Sequence, residues 1–107
     1  MSGSSGLPGR YSKALYELAK EKKVISKIVK DFEDLKNLLQ SNELLINMIK
    51  SPAISKSEKQ SSVIAVLKKA KADKLTLQFC GVLANNGRLN ILSEIIDVFL
   101  SHVSSIN

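Results

Sequence analysis

Apolar positions along this chain recur at helical spacing, and no stretch alternates in the way a half-buried strand would. Six helices follow from that pattern. The first spans about Arg10 to Lys23, with Tyr11, Ala14, Leu15 and Leu18 on one face and Tyr16 and Ala19 widening the stripe. The second, about Val24 to Gln40, sets Ile25, Ile28, Val29, Phe32, Leu35 and Leu39 against a charged opposite face. A short third helix, about Glu43 to Lys50, has Asn42 as its cap and stops at Ser51-Pro52, because proline disfavours a helical residue before it. Ser55 and Glu58 have capping-box spacing and open the fourth. Asp73 caps a fifth that runs to about Asn86, and Ile91, Leu92, Ile95, Ile96, Phe99 and Val103 form the sixth.

Between the last two helices lies Leu83-Ala84-Asn85-Asn86-Gly87-Arg88-Leu89-Asn90. Gly87 can take the positive φ that closes a helix, and Asn90 is placed to cap the next one. Connections this short predict an all-α, compact six-helix bundle, a single domain spanning residues 10–105. The Ser/Gly-rich residues 1–9 read as a flexible lead or an expression remnant.

Composition supports helices: the chain of 107 residues is 44% hydrophobic, lacks Trp, and has few Gly and Pro. No uninterrupted apolar run approaches bilayer length. Charge changes the picture more. The net charge is +6, but residues 1–74 hold fifteen of the sixteen Lys and Arg against eight acids, a net +7. Such a basic first part suits nucleic acid, anionic lipid or an acidic protein, or is a solvated lysine-rich surface. The lysines are scattered among acids, and no aromatic-plus-Arg platform interrupts them, which argues against base stacking.

Reactive groups are sparse. His102 is the only histidine, near a helix end and without a partner at useful spacing; Cys80 is the only cysteine, set among Phe79, Val82 and Leu83 as a small hydrophobe would be. One His and one Cys cannot close a zinc site. Gly87 is followed by Arg-Leu-Asn rather than Lys-Ser/Thr, so the turn is not a phosphate loop. The acids Asp31, Glu33, Asp34, Glu94 and Asp97 fall on polar faces, where solvent and i, i+4 pairing with Lys account for them. No cofactor is implied, and an interaction module fits better than an enzyme. Apolar residues occupy nearly every side of the fifth helix (Leu75, Leu77, Phe79, Cys80, Val82, Leu83 and Ala84). Either the helix is central and surrounded, or helices one and five form a groove for a partner's amphipathic helix, where Ala14 would let a backbone approach.

Three motifs then carry a family resemblance. Arg10-Tyr11-Ser12-Lys13-Ala14-Leu15-Tyr16-Glu17-Leu18-Ala19 resembles the opening motif of the delta subunit of F-type ATP synthase, whose mitochondrial homologue is the oligomycin sensitivity conferral protein. Ser51-Pro52-Ala53-Ile54-Ser55, with Glu58-Lys59, resembles that family's mid-domain turn. Leu83-Ala84-Asn85-Asn86-Gly87-Arg88-Leu89 resembles its Leu-x-Glu-Asn-Gly-Arg-Leu signature, with Asn85 replacing the acid. The resemblance covers about Gly9 to Ser104 and implies the N-terminal domain of a longer subunit. It implies a non-catalytic stator part that grips the N-terminal helix of an alpha subunit between helices one and five. The implied groove residues are Tyr11, Ala14, Leu15 and Leu18 with Leu75, Gln78, Phe79 and Val82. It further implies peripheral-stalk b subunits as partners of an absent C-terminal domain. The implied location is peripheral, on the cytoplasmic face of a bacterial inner membrane or the matrix side of the mitochondrial one. The isolated domain is expected to be monomeric, without nucleic acid and without membrane insertion. The competing readings are a small basic nucleic-acid-binding protein and a self-associating helical module.

Overall fold

The computed structural model describes residues 6–106. Helices α1 (Gly6–Glu21), α2 (Ile25–Ser41), α3 (Glu43–Lys50), α4 (Lys56–Lys69), α5 (Lys74–Asn85) and α6 (Leu92–Ile106) follow in order, with a 3-10 turn at Leu89–Ile91 before the last. All six expected helices are present, and no strand occurs among the described residues. The first helix starts four residues earlier than its apolar stripe suggests. Gly6 to Gly9, placed in the flexible lead from sequence, are helical, and Gly9 is buried; residues 1–5 lie outside the described residues.

α2 is the hub. It packs against α1, α3, α5 and α6, while α1 lies mainly along α6 and α4 along α5. Its centre is Phe32, fully buried, which meets Phe99 of α6 with ring centroids 5.2 Å apart and Phe79 of α5 at 6.2 Å. Tyr11 meets Phe79 edge-on at 6.1 Å, and Tyr16 meets Phe99 at 6.4 Å. The five aromatic residues of the chain thus form one continuous series through the core. Such ring pairs each add about 0.5–1.5 kcal/mol beyond area burial.

The caps form where the residue types place them. Asn42 Oδ1 accepts the Leu45 amide at 3.1 Å, and Asp73 Oδ2 accepts that of Leu75 at 2.9 Å. The capping box closes both ways, Glu58 N–H to Ser55 Oγ at 3.1 Å and Ser55 N–H to Glu58 Oε1 at 3.3 Å. Gly87 has φ +71. The Arg88 amide reaches back to Leu83 O at 2.9 Å and that of Gly87 to Ala84 O at 3.0 Å, the paired bonds of a Schellman ending. Asn90 does not cap α6. It sits inside the 3-10 turn, where Leu92 N–H, one of the amides it would have capped, bonds Leu89 O instead.

A second departure concerns Asp31, read from sequence as an acid on a solvated face. Its side chain is buried, because α2 turns that face toward the start of α5. Oδ1 takes Lys27 Nζ at 2.8 Å; Oδ2 takes the Asp73 amide and the Thr76 hydroxyl, each at 2.8 Å. Lys27 Nζ also donates to Lys71 O at 3.0 Å. The carboxylate therefore ties α2 to the N-terminus of α5, where the helix dipole favours negative charge. Asp34 does pair with Lys30 at 3.3 Å, whereas Asp97 pairs across helices with Lys36 at 2.9 Å.

The stretch Leu89–Ile106 reaches the length and apolarity of a membrane span, with mean hydropathy 1.3. Here it buries Leu92, Ile95, Ile96, Phe99 and Val103 against the bundle and turns Glu94 and Asp97 outward, as a core helix does.

Candidate functional site: the groove between α1 and α5

The first turns of α1 meet the last turn of α5. There the Tyr11 hydroxyl accepts a hydrogen bond from Asn86 Nδ2 at 3.1 Å, and the Tyr11 ring stands edge-on against Phe79. Tyr11 and Phe79, both half-buried, form the floor. From there each helix presents one further apolar position per turn: Ala14 and Leu18 on α1, Val82 on α5. Leu18 is 43% exposed and Val82 is 54% exposed. The described residues contain four exposed large hydrophobic side chains, and two of them are these, one on α1 and one on α5. Gln78 is exposed beside them and offers an amide to a partner.

Six of the eight sequence-predicted groove residues are thus accessible there: Tyr11, Ala14, Leu18, Gln78, Phe79 and Val82. The other two are not. Leu15 is fully buried and Leu75 is 5% exposed, so both belong to the core. The cause is phase. On α1 the core face is Ser12, Leu15 and Ala19; on α5 it is Leu75, Thr76, Cys80, Leu83 and Ala84. A continuous apolar stripe hides where one face ends and the next begins. α5 is correspondingly not a surrounded central helix; it lies against α4 and α2 and leaves one side open. Sequence reasoning missed Asn86 as part of this site; an exposed amide one turn beyond Val82 is the signal that would have found it.

A cleft of about 550 Å³ flanks α1 on its other side and is lined by Ser12, Lys13, Tyr16, Glu17, Lys20 and His102 among others. Its lining sets three charged side chains, Lys13, Glu17 and Lys20, beside Tyr16 and Val98. His102 is exposed and packs edge-on against Tyr16, centroids 4.7 Å apart. Cys80 is 1% exposed, and burial, with a smaller contribution from the Asp31 carboxylate, pushes its thiol up to about 12. A thiol so held is protonated and a poor nucleophile. Among the described residues no group of three or more His, Cys, Asp or Glu is placed to hold a metal.

The same chain resembles proteins of known complexes. The family model described as ATP synthase delta (OSCP) subunit matches residues 7–107. A subunit named ATP synthase subunit delta from Rhodospirillum centenum is 38% identical over 103 residues, 96% of this chain and 55% of that protein. Its namesake from Phenylobacterium zucineum is 36% identical over 98 residues, 92% of this chain and 53% of the relative. The chain therefore spans about half the length of these relatives. A chain in the Toxoplasma gondii mitochondrial ATP synthase hexamer superimposes with a TM-score of 0.83 at 32% identity, covering 89% of this chain and 53% of that one. Sequence match over nearly the whole chain and a shared six-helix architecture agree: the chain belongs to the ATP synthase delta (OSCP) subunit family.

Proposed function

We propose that this domain is a non-catalytic stator part of an F-type ATP synthase. It binds the amphipathic N-terminal helix of an alpha subunit in the groove between α1 and α5. The observation that supports the reading most is that Leu18 and Val82, exposed and apolar, belong to the two helices that the Tyr11–Phe79 ring pair brings together. Surface leucine and valine scattered singly need no explanation; a pair on two helices joined by a half-buried aromatic contact does. An amphipathic helix laid there buries them, and its own apolar face at i, i+3, i+4 and i+7 spacing meets the floor.

Mechanically, the domain's role is attachment. Held to the catalytic head here, and to the peripheral stalk through the remainder of a full-length subunit, it stops the head turning with the rotor. It works at the membrane-bound complex without inserting into the bilayer. The test is titration of the isotopically labelled protein with the alpha-subunit N-terminal peptide. Amide shifts should concentrate at Tyr11, Ala14, Leu18, Gln78, Phe79 and Val82. Perturbations confined to the lysine-rich surface would exclude the reading. A second copy of this chain is the competing occupant, and sedimentation of a monomer at the titration concentration removes it.

A further inference from the structure

The groove is apolar along its length, but one of its ends is not. The α1–α2 turn and the α4–α5 turn lie side by side, joined by Lys27 Nζ to Lys71 O at 3.0 Å and by Asp31 to the Asp73 amide at 2.8 Å. These two turns bring Lys22 and Lys23, Lys68, Lys69 and Lys71, and then Lys74 at the start of α5, to one end of the bundle. All six are exposed. The ion pairs among the described residues use Lys27, Lys30 and Lys36, and none of these six. Four acids lie nearby and offset the six lysines only in part: Asp31, buried and already paired with Lys27; Asp73, which caps the Leu75 amide; and Glu17 and Glu21, exposed on α1. Lys22 lies one turn beyond Leu18, and Lys74 one turn before Gln78, so the basic end continues both groove walls.

Two of these lysines stand where lysine is disfavoured. Lys23 has φ 60 and Lys71 has φ 59, each the left-handed residue of a Schellman ending. The Val24 amide bonds Ala19 O at 2.9 Å, and that of Ala72 bonds Leu67 O at 3.0 Å. Glycine is the usual occupant, since a Cβ crowds the backbone there. Lysine thus occupies both positions against backbone preference. Lys74 likewise sits at a helix N-terminus, where the dipole opposes a cation.

We infer that this lysine end captures an acidic stretch adjoining the amphipathic helix bound in the groove, so that charge sets the direction in which that helix lies. The inference rests on the groove reading above. A protein partner fits better than nucleic acid, because the patch is all lysine, and the two arginines, Arg10 and Arg88, flank the opposite end of the groove near Tyr11 and Asn86.

The experiment uses the alpha-subunit N-terminal peptide in three forms: one with its charges neutralised, one with three Glu before the helix, and one with three Glu after it. One acidic form, and only one, should bind about tenfold tighter than the neutral form at low salt, three exposed ion pairs contributing together. The gain should vanish as salt rises from about 10 mM to about 150 mM and the screening length falls from about 30 to about 8 Å. Lys68→Glu with Lys69→Glu, at the end of α4 and off the groove walls, should abolish the gain and leave affinity for the neutral peptide unchanged. Equal gain by both acidic forms, or gain by neither, overturns the inference while the groove reading stands. So does a double variant that binds the favoured acidic form as the parent does. Failure of all three peptides overturns the groove reading and this inference with it. Salt-sensitive binding of duplex DNA or phosphatidylserine vesicles, with no gain from either acidic peptide, assigns the lysine end to those polyanions instead.

Discussion

Asp31 and Thr76, 45 residues apart, meet in the interior through a 2.8 Å hydrogen bond from the threonine hydroxyl to Oδ2. Both are buried. The same oxygen holds the Asp73 amide, and Oδ1 holds Lys27. One carboxylate therefore fixes where α5 begins relative to α2, and with it the position of one groove wall. Asp31→Ala leaves a buried hydroxyl and an amide without partners, and should cost about 2–4 kcal/mol in urea unfolding. Thr76→Val removes one bond and keeps the shape, for about 1 kcal/mol. A double-mutant cycle should show the two coupled, since the Thr76 bond has no partner once Asp31 is gone.

Backbone handedness gives a prediction of opposite sign. Lys71 occupies a left-handed position with its side chain exposed. Lys71→Gly should stabilise the domain by about 0.5–1 kcal/mol, relief of the Cβ strain outweighing the extra freedom of the unfolded chain. Gly87→Ala should destabilise it by about 1 kcal/mol, because φ is +71 and the new Cβ would come within 3.2 Å of Lys56 Cε. Thermal melts at matched ionic strength separate these backbone effects from the altered charge.

The Cys80 thiol makes stability fall at high pH. Its folded value lies near 12 against an ordinary 9.0. Between those values the unfolded chain has lost the proton and the folded one keeps it, so deprotonation pulls toward unfolding. Stability should hold below about pH 9 and decline above it relative to Cys80→Ala, whose profile lacks this contribution. At pH 8 a thiol reagent should modify the native protein only through unfolding, and at once in denaturant. Rapid labelling of the native protein would contradict the burial.

Helix number, order and five of the stop and start devices were legible in the residues, because each depends on a local pattern: the period of Ile28, Phe32, Leu35 and Leu39, the Ser55–Glu58 spacing, the positive φ that Gly87 permits. Three features were not legible, and each depends on something distant. Asp31 looks like its neighbours Glu33 and Asp34 until α5 arrives to bury it. Lys23 and Lys71 read as ordinary surface charges, since nothing local signals that a lysine will be left-handed. Leu15 and Leu75 share stripes with groove residues, and only the crossing of α1 and α5 over α2 decides which apolar positions are enclosed.

That division between enclosed and open positions sets the last prediction. Val82 is 54% exposed, whereas Leu15 is fully buried. Val82→Asp should leave the melting temperature within a degree or two, for the charge stays in water in the free domain. The same variant should weaken alpha-peptide binding by about 1–3 kcal/mol, as apolar burial is lost and a carboxylate is desolvated against the partner helix. Leu15→Asp reverses the pattern, unfolding the domain before any peptide is added, because an unpaired charge would sit in the core beneath the groove. Calorimetric melts beside isothermal titration distinguish the two. A Val82→Asp protein that stays folded and binds the peptide as the parent does would take the groove away from this face of α5.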